Sequence, residues 1–243
     1  MVSNTFGGGT VRAEFEVLTS MTMQDMPTGV FPYDVYVKPD TWSWARYYKN
    51  LGYETLGVHT YDPTFYSRST AYPNMGFDEF IGVDDLHVEK TMSGPYVSDD
   101  TFVDELIYQL EDQSDSPKFI FGITMGNHGL YGGKFHDSDI DITATGEGYT
   151  DEEIMGMENY SYAALGKLYD YVQQRERPTV VVYFGDHLPS LAGSYDIYNK
   201  SNGIPTGGSE VWNDEQKLYM FSTPYVTFAN YDTGREYAAD GQA

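Results

Sequence analysis

Two short stretches and one loop of this sequence hold side chains whose types and spacing suit chemistry. Gly185-Asp186-His187 follows the apolar run Thr179 to Phe184, TVVVYF, so a carboxylate and an imidazole stand side by side at the end of a predicted strand. That pair suits a divalent ion that takes both nitrogen and oxygen ligands. Phe6-Gly7-Gly8-Gly9-Thr10 is the second stretch. Its glycines let the backbone approach a ligand closely, and Thr10 is expected to N-cap a helix whose first N–H groups favour an anion. A metal beside the Thr10 hydroxyl would lower its pKa and make it a nucleophile. The stretch is not a P-loop, because the closing Lys-Ser/Thr is absent. The loop from His59 to Arg68 mixes a histidine, an arginine and aromatics. It fits a phosphorylated polyol, with the planar guanidinium for phosphate and rings for the carbon face. An exposed turn would also account for Asp186-His187, and a flexible tail with a helix cap for Gly7 to Thr10.

The elements that must position these groups alternate in type. The spacing predicts a helix over Asp40 to Leu51 with Asp40 as N-cap, then a strand over Glu54 to Thr60. A second helix is expected over Asp99 to Leu110, capped by Ser98, and a strand buried on both faces over Lys118 to Met125. Ile154, Met157, Ser161, Leu165, Leu168 and Val172 recur at helical spacing within Asp151 to Gln174. Thr179 to Phe184 reads as another buried strand, and Leu218 to Ala229 as a last pair of short strands broken by Pro224. This order predicts an α/β fold, a mostly parallel central sheet with helices on both faces, in one domain over residues 1–243. Ligands of such sheets bind at the carboxyl ends of the strands, where His59, Asn127-His128 and Asp186-His187 fall.

Composition narrows the function classes. The 243 residues carry 14 Lys+Arg against 37 Asp+Glu, a formal charge of −23, which argues against a nucleic-acid partner and against docking on anionic lipid by charge alone. With no cysteine, thiolate nucleophiles, disulfides and Cys-metal sites are excluded. The 23 tyrosines fit either a sugar- or headgroup-handling surface or simply an aromatic core and rim. The longest apolar runs are far short of a membrane span, and the opening MVSNTFGGGT has no signal-peptide pattern. Asp137, Asp139 and Asp141 have EF-hand spacing, but Ile142 and Gly148 stand where glycine and glutamate are needed, so the stretch reads as an acidic loop.

GGGTVRAEFEVLT, SRSTAYPNMGFDEF, GITMGNHGLY, the aromatic NYSYA helix and VVVYFGDHLPSL occur in this order over nearly the whole chain. Together they resemble the extracellular domain of lipoteichoic acid synthases and related phosphoglycerol transferases, in the sulfatase-like branch of the alkaline phosphatase superfamily. The resemblance implies that Thr10 is the nucleophile and touches the metal, with Asp186 and His187 as metal ligands and Mn²⁺ or Mg²⁺ as the ion. It implies that His128 holds the substrate phosphate and that His59 and Arg68 bind substrate. Tyr66 stands where those synthases carry a tryptophan, and Tyr61 where they carry an acidic residue. The implied reaction moves glycerophosphate from a phosphatidylglycerol-like lipid headgroup to a glycerophosphate polymer through a phospho-threonine, at the extracellular face of a bacterial membrane. A sulfatase- or phosphodiesterase-type hydrolase and a non-catalytic glycan- or headgroup-binding remnant are the alternatives.

The resemblance also implies a first strand ending in Glu-Ser, whose Glu is a metal ligand, some tens of residues before Thr10, and a closing helix after residue 243. The expectation is therefore a catalytic domain truncated at both ends, with the first strand missing and with weak or no activity on its own. Robust turnover would require another carboxylate, such as Glu14 or Glu16, in the missing role.

Overall fold

The computed structural model of the protein describes residues 1–27, 29–112, 114–129, 131, 143, 145, 148–151, 153–154, 163–191 and 196–234. The chain begins with α1 (Thr10–Thr19), α2 (Pro32–Val35) and α3 (Trp44–Asn50). It continues with β1 (Glu54–His59), α4 (Arg68–Met75), β2 (Glu79–Ile81), the short strands β3 (Met92–Ser93) and β4 (Tyr96–Val97), and α5 (Asp99–Leu110). Then come β5 (Lys118–Ile123), α6 (Ala163–Gln174), β6 (Val180–Phe184), α7 (Asp196–Asn202), α8 (Asp214–Phe221) and β7 (Tyr225–Ala229). The predicted acidic loop of Asp137, Asp139 and Asp141, and Met157 and Ser161 of the long predicted helix, lie outside the described residues.

The central sheet is parallel, in the order β2-β1-β5, and is flanked by helices as predicted. β5 alternates strictly, as a strand must. Phe119, Phe121 and Ile123 pack toward Val11, Phe15, Leu18, Tyr72 and Met75 of α1 and α4, while Ile120 packs toward Phe102, Val103, Leu168 and Val172 of α5 and α6. A third cluster around Trp212, Leu191 and Met220 takes in Phe6, whose ring meets Trp212 at 4.8 Å and Phe221 at 5.0 Å.

Several local expectations are corrected. α3 is capped by Ser43, which accepts from the Arg46 N–H at 3.1 Å, whereas Asp40 sits at φ 69° outside the helix. Both types can cap; Ser43 wins because its hydroxyl also donates to the Met75 carbonyl and is fully buried there. α5 follows its predicted bounds, with Ser98 accepting from the Thr101 N–H. Leu218 to Phe221 is helix rather than strand, because Asn213 and Gln216 form a reciprocal capping box that starts α8 four residues earlier. β6 is antiparallel to β7 and only half covered, with Val180 and Val182 each 50 % exposed, and β5 is likewise partly exposed. Among the described residues β5 pairs only with β1 and β6 only with β7, and both strands line a cleft of about 1440 Å³.

Gly57, in the middle of β1, lets two rings close over the sheet. A Cβ there would lie 2.5 Å from Tyr72 Cδ1 and 2.6 Å from Phe80 Cδ2. Gly57→Ala is therefore expected to cost about 1–3 kcal/mol in urea denaturation, with an unchanged m-value.

Candidate active site

The first nine residues form an arm that crosses the end of β6. Ser3 Oγ donates to the Asp186 carbonyl, and the Gly7 N–H donates to the Leu188 carbonyl at 2.7 Å. Val2 bridges to Ser222, and the Thr223 N–H donates to the Met1 carbonyl at 2.8 Å. The arm thus ties the start of α1 to Asp186-His187. Gly8 and Gly9 lie at φ 141° and 87°, backbone that L side chains rarely adopt. Gly9 is the N-cap and Thr10 the first helical residue, so the helix begins one position earlier than expected, because the left-handed cap conformation selects glycine.

All seven sequence-predicted site residues line the same cleft: Thr10, His59, Tyr66, Arg68, His128, Asp186 and His187. His187 Nδ1 donates to the Leu188 carbonyl at 2.9 Å, which leaves the lone pair on Nε2. That nitrogen lies 3.2 Å from Asp186 Oδ2. Two ligands of one ion at about 2.0–2.2 Å stand about 2.8–3.1 Å apart in cis-octahedral and about 3.3–3.6 Å apart in tetrahedral geometry, so a pair at 3.2 Å lies within reach of one divalent ion, with the other imidazole nitrogen held as metal ligands usually are. Among the described residues no third His, Asp or Glu joins them. Glu14 and Glu16 are otherwise engaged: Glu16 Oε1 accepts from the Met23 N–H at 2.5 Å, and Glu14 is buried in the network described next.

His59 and Arg68 meet beneath the cleft. Arg68 Nε donates to both Glu14 oxygens at 3.2 and 3.1 Å, and Nη2 donates to Glu14 Oε1 at 2.5 Å. Arg68 Nη1 lies 3.2 Å from His59 Nε2 and donates to the Phe65 carbonyl at 3.2 Å. His59 Nδ1 donates to the Ile123 carbonyl at 3.1 Å, so Nε2 is the acceptor facing Arg68. Tyr33 and Tyr72 hydroxyls donate to Glu14 Oε2 at 3.0 and 3.1 Å. Burial raises the Glu14 carboxyl, but the Arg68 charge and its hydrogen bonds outweigh it and hold the group ionised. Most of Arg68's N–H groups are thus committed inside the protein, a commitment invisible in the sequence.

Arg68 is aimed by a strained turn. Tyr66 and Ser67 are consecutive non-glycine residues at φ 56° and 57°, and Ser67 Oγ donates to Asp34 Oδ1 at 2.6 Å. Such outliers concentrate at functional sites. The Tyr66 ring stands 5.1 Å from the guanidinium carbon, a cation–π contact. His128 Nδ1 donates to the Gly129 carbonyl at 2.6 Å and lies 3.1 Å from the Tyr96 hydroxyl, which itself donates to Gly129 O. Tyr61, Phe65 and Tyr96 form a chain of edge-on rings at the rim, 5.6 and 5.9 Å apart. Tyr131 is pushed up to about 12 by burial and by the Asp186 charge, and stays protonated.

Tyr33, Tyr72, Tyr96 and Tyr131 are additions not expected from the sequence, and Glu14, expected only as a stand-in for the missing metal ligand, is instead the partner of Arg68. One signal was available for Glu14: it follows Thr10 by four residues and so shares its helix face. His59 yields a pH prediction. Burial, and next the Arg68 charge, lower its pKa from 6.5 to about 4, so it is neutral at neutral pH. Below the unfolded value the unfolded chain takes the proton first, so this group's contribution is present above about pH 6.5 and lost as pH falls toward 4. The full loss is about 3 kcal/mol. Urea denaturation at about pH 7 and about pH 4.5 should show a smaller pH slope in His59→Gln than in the wild type.

Comparison with known proteins identifies the family and the fold. The pattern of the Sulfatase family matches residues 1–237. A putative cyclic β-1,2-glucan modification protein of Rhizobium meliloti is 29% identical over 241 residues, covering 94% of this chain and 36% of that protein. The Streptococcus pyogenes phosphoglycerol transferase GacH, solved with sn-glycerol-1-phosphate, superposes with a TM-score of 0.72 at 24% identity, over 95% of this chain and 57% of that one. The lipoteichoic acid synthase LtaP from Listeria monocytogenes gives 0.72 at 20% identity, over 96% and 55%. The chain spans about a third of the length of the curated relative. Its α/β fold is that of the lipoteichoic acid synthase and phosphoglycerol transferase structures, and the chain belongs to the sulfatase family.

Proposed function

We propose that this protein is a metal-dependent phosphoglycerol transferase that moves glycerophosphate from a phosphatidylglycerol-like lipid onto a glycan or glycerophosphate acceptor. The observation that carries the reading is the arm that ties the start of α1 to Asp186-His187, with Thr10 and that pair lining one cleft. Asp186, His187 Nε2 and the Thr10 hydroxyl would hold Mn²⁺ or Mg²⁺. Such an ion supplies positive charge to phosphoryl oxygens and lowers the pKa of the threonine hydroxyl.

The protein's own groups account for the rest. Thr10 Oγ attacks phosphorus as the bond to the diacylglycerol oxygen breaks, and the hydroxyl proton ends on the released diacylglycerol. An acceptor hydroxyl then attacks the same phosphorus, the P–Oγ bond breaks, and Thr10 regains a proton. His128, exposed at the cleft edge, donates Nε2–H to a phosphoryl oxygen in its cationic form, with Nδ1 kept on Gly129 O, while Tyr66, with Tyr61 and Tyr96, covers the glycerol carbons. Arg68, whose charge Glu14 balances, forms part of the cleft floor, and His59 Nε2 accepts from its Nη1 and fixes its orientation. A glycan acceptor is supported by the name of the R. meliloti relative and by the aromatic rim, since rings pack on sugar faces. The lipid donor sets the reaction at the extracellular face of a bacterial membrane. No helix among the described residues is long and apolar enough to cross a membrane.

The test uses the protein at its full encoded length, a fluorescent phosphatidylglycerol, Mn²⁺ and an oligosaccharide. Diacylglycerol release, a glycerophosphoryl adduct on Thr10 by mass spectrometry, and glycerophosphate on the sugar are the expected results. Thr10→Ala should lower turnover by roughly 10³-fold or more. Full activity in Thr10→Ala would sink the reading, and release of glycerophosphate to water alone would make the protein a hydrolase. Asp186→Asn should weaken Mn²⁺ binding, read by calorimetry without substrate, by about 10–100-fold or more, because a direct ligand loses its charge.

A further inference from the structure

We propose that Glu14 is a positioning residue, which sets the Thr10 hydroxyl and the Arg68–His59 pair in a single frame. The proposal rests on the reading of Thr10 as nucleophile and goes beyond it by assigning a residue that touches no substrate.

Three observations carry it. Glu14 follows Thr10 by one helical turn, so any rotation or slide of α1 that moves one side chain moves the other. Its carboxylate is 3 % exposed and takes hydrogen bonds from Arg68, Tyr33 and Tyr72, which come from α4 and α2. Through Arg68 the chain of bonds runs on to His59 at the end of β1 and to the Ile123 carbonyl at the end of β5. The helix start is thereby pinned to the ends of β1 and β5, whose last residues His59 and Ile123 both line the cleft. The glycine loop before Thr10 supplies no side chain to do this, and Gly8 has open space around it.

Stability alone does not explain the arrangement. Removing two charges from water costs several kcal/mol, and well-packed apolar residues of similar volume serve a core at least as well. What an ionic cluster adds is direction. A carboxylate that receives a forked guanidinium on one side and two hydroxyls on the other admits one orientation, where an apolar contact tolerates several.

The experiment compares wild type, Glu14→Gln and Glu14→Asp in the transfer assay, at a temperature well below each thermal midpoint, together with the NMR signal of the Thr10 methyl group in ¹³C-threonine-labelled protein. Expected are a kcat lowered about 10–100-fold in Glu14→Gln with little change in KM, partial recovery in Glu14→Asp, and a shifted or broadened Thr10 methyl signal. Wild-type kcat and an unmoved methyl signal alongside a lowered midpoint would overturn the proposal and leave Glu14 a core ion pair only. Should Glu14→Gln not fold, the double variant Tyr33→Phe with Tyr72→Phe removes two donors while keeping the rings, and the same two outcomes decide. Should Thr10→Ala prove fully active, the transferase reading fails separately. The methyl signal then decides alone whether Glu14 sets Thr10.

Discussion

A carboxylate and a guanidinium buried together, Glu14 at 3 % and Arg68 at 1 % exposure, join the parts of this protein that chemistry needs in register. Neither charge could be left alone there, because an unpaired ion in so dry a place would cost far more than the fold can spare. The pairing therefore obliges α1, α2, α4 and the end of β1 to arrive at one point. The apolar residues around it, Val11, Phe15, Tyr72 and Met75, provide the burial that makes the ion pair binding rather than optional. The strained turn at Tyr66 and Ser67 is sustained by the same bond, since Arg68 begins α4 directly after it.

The second constraint is the N-terminal arm. It is held by hydrogen bonds to backbone groups of residues 186, 188, 221 and 223, the first from the Ser3 hydroxyl, and by Phe6 among Trp212 and Phe221. These contacts are far apart in sequence, more than 180 residues for Ser3 and Asp186. They tie the segment of the two candidate metal ligands to the start of α1 and Thr10. With a net charge of −23, the protein repels anions over most of its surface. The N-terminus of α1, where helix N–H groups face the cleft, is a place that favours an anion, whereas the Arg68 charge is balanced by Glu14. The acidic exterior thus suits a site whose selectivity comes from a few placed charges rather than from a basic field.

What was legible in the sequence followed from local rules. α5 between Ser98 and Leu110 was readable because a capping serine, two acidic residues in the first turn and an apolar stripe all agree. β1 was readable from its short apolar run before His59, and the strand-end positions of His59, His128 and Asp186-His187 from the rule that α/β sheets bind at carboxyl ends. Failures arose where two local signals competed. Asp40 and Ser43 are equally good caps in isolation, and Pro224 concealed a helix ending at Phe221. The β-branched run of β6 promised full burial, but burial depends on what covers a strand, and that lies elsewhere in the chain.

By itself, then, the sequence determined the chemical inventory: no thiol, a strong negative charge, one glycine-threonine entry to a helix, and an adjacent carboxylate and imidazole after a strand. It determined the α/β class as well, because the alternation of apolar periods is a property of neighbouring residues. Only the tertiary structure decided that Arg68 gives most of its donors to Glu14 and His59 rather than to solvent, and that Glu14 serves the interior and not an ion. Those outcomes rest on which groups are desolvated together. Desolvation is set by the packing of α1 on α4 and of the arm on β6, contacts between segments that nothing in the local sequence connects.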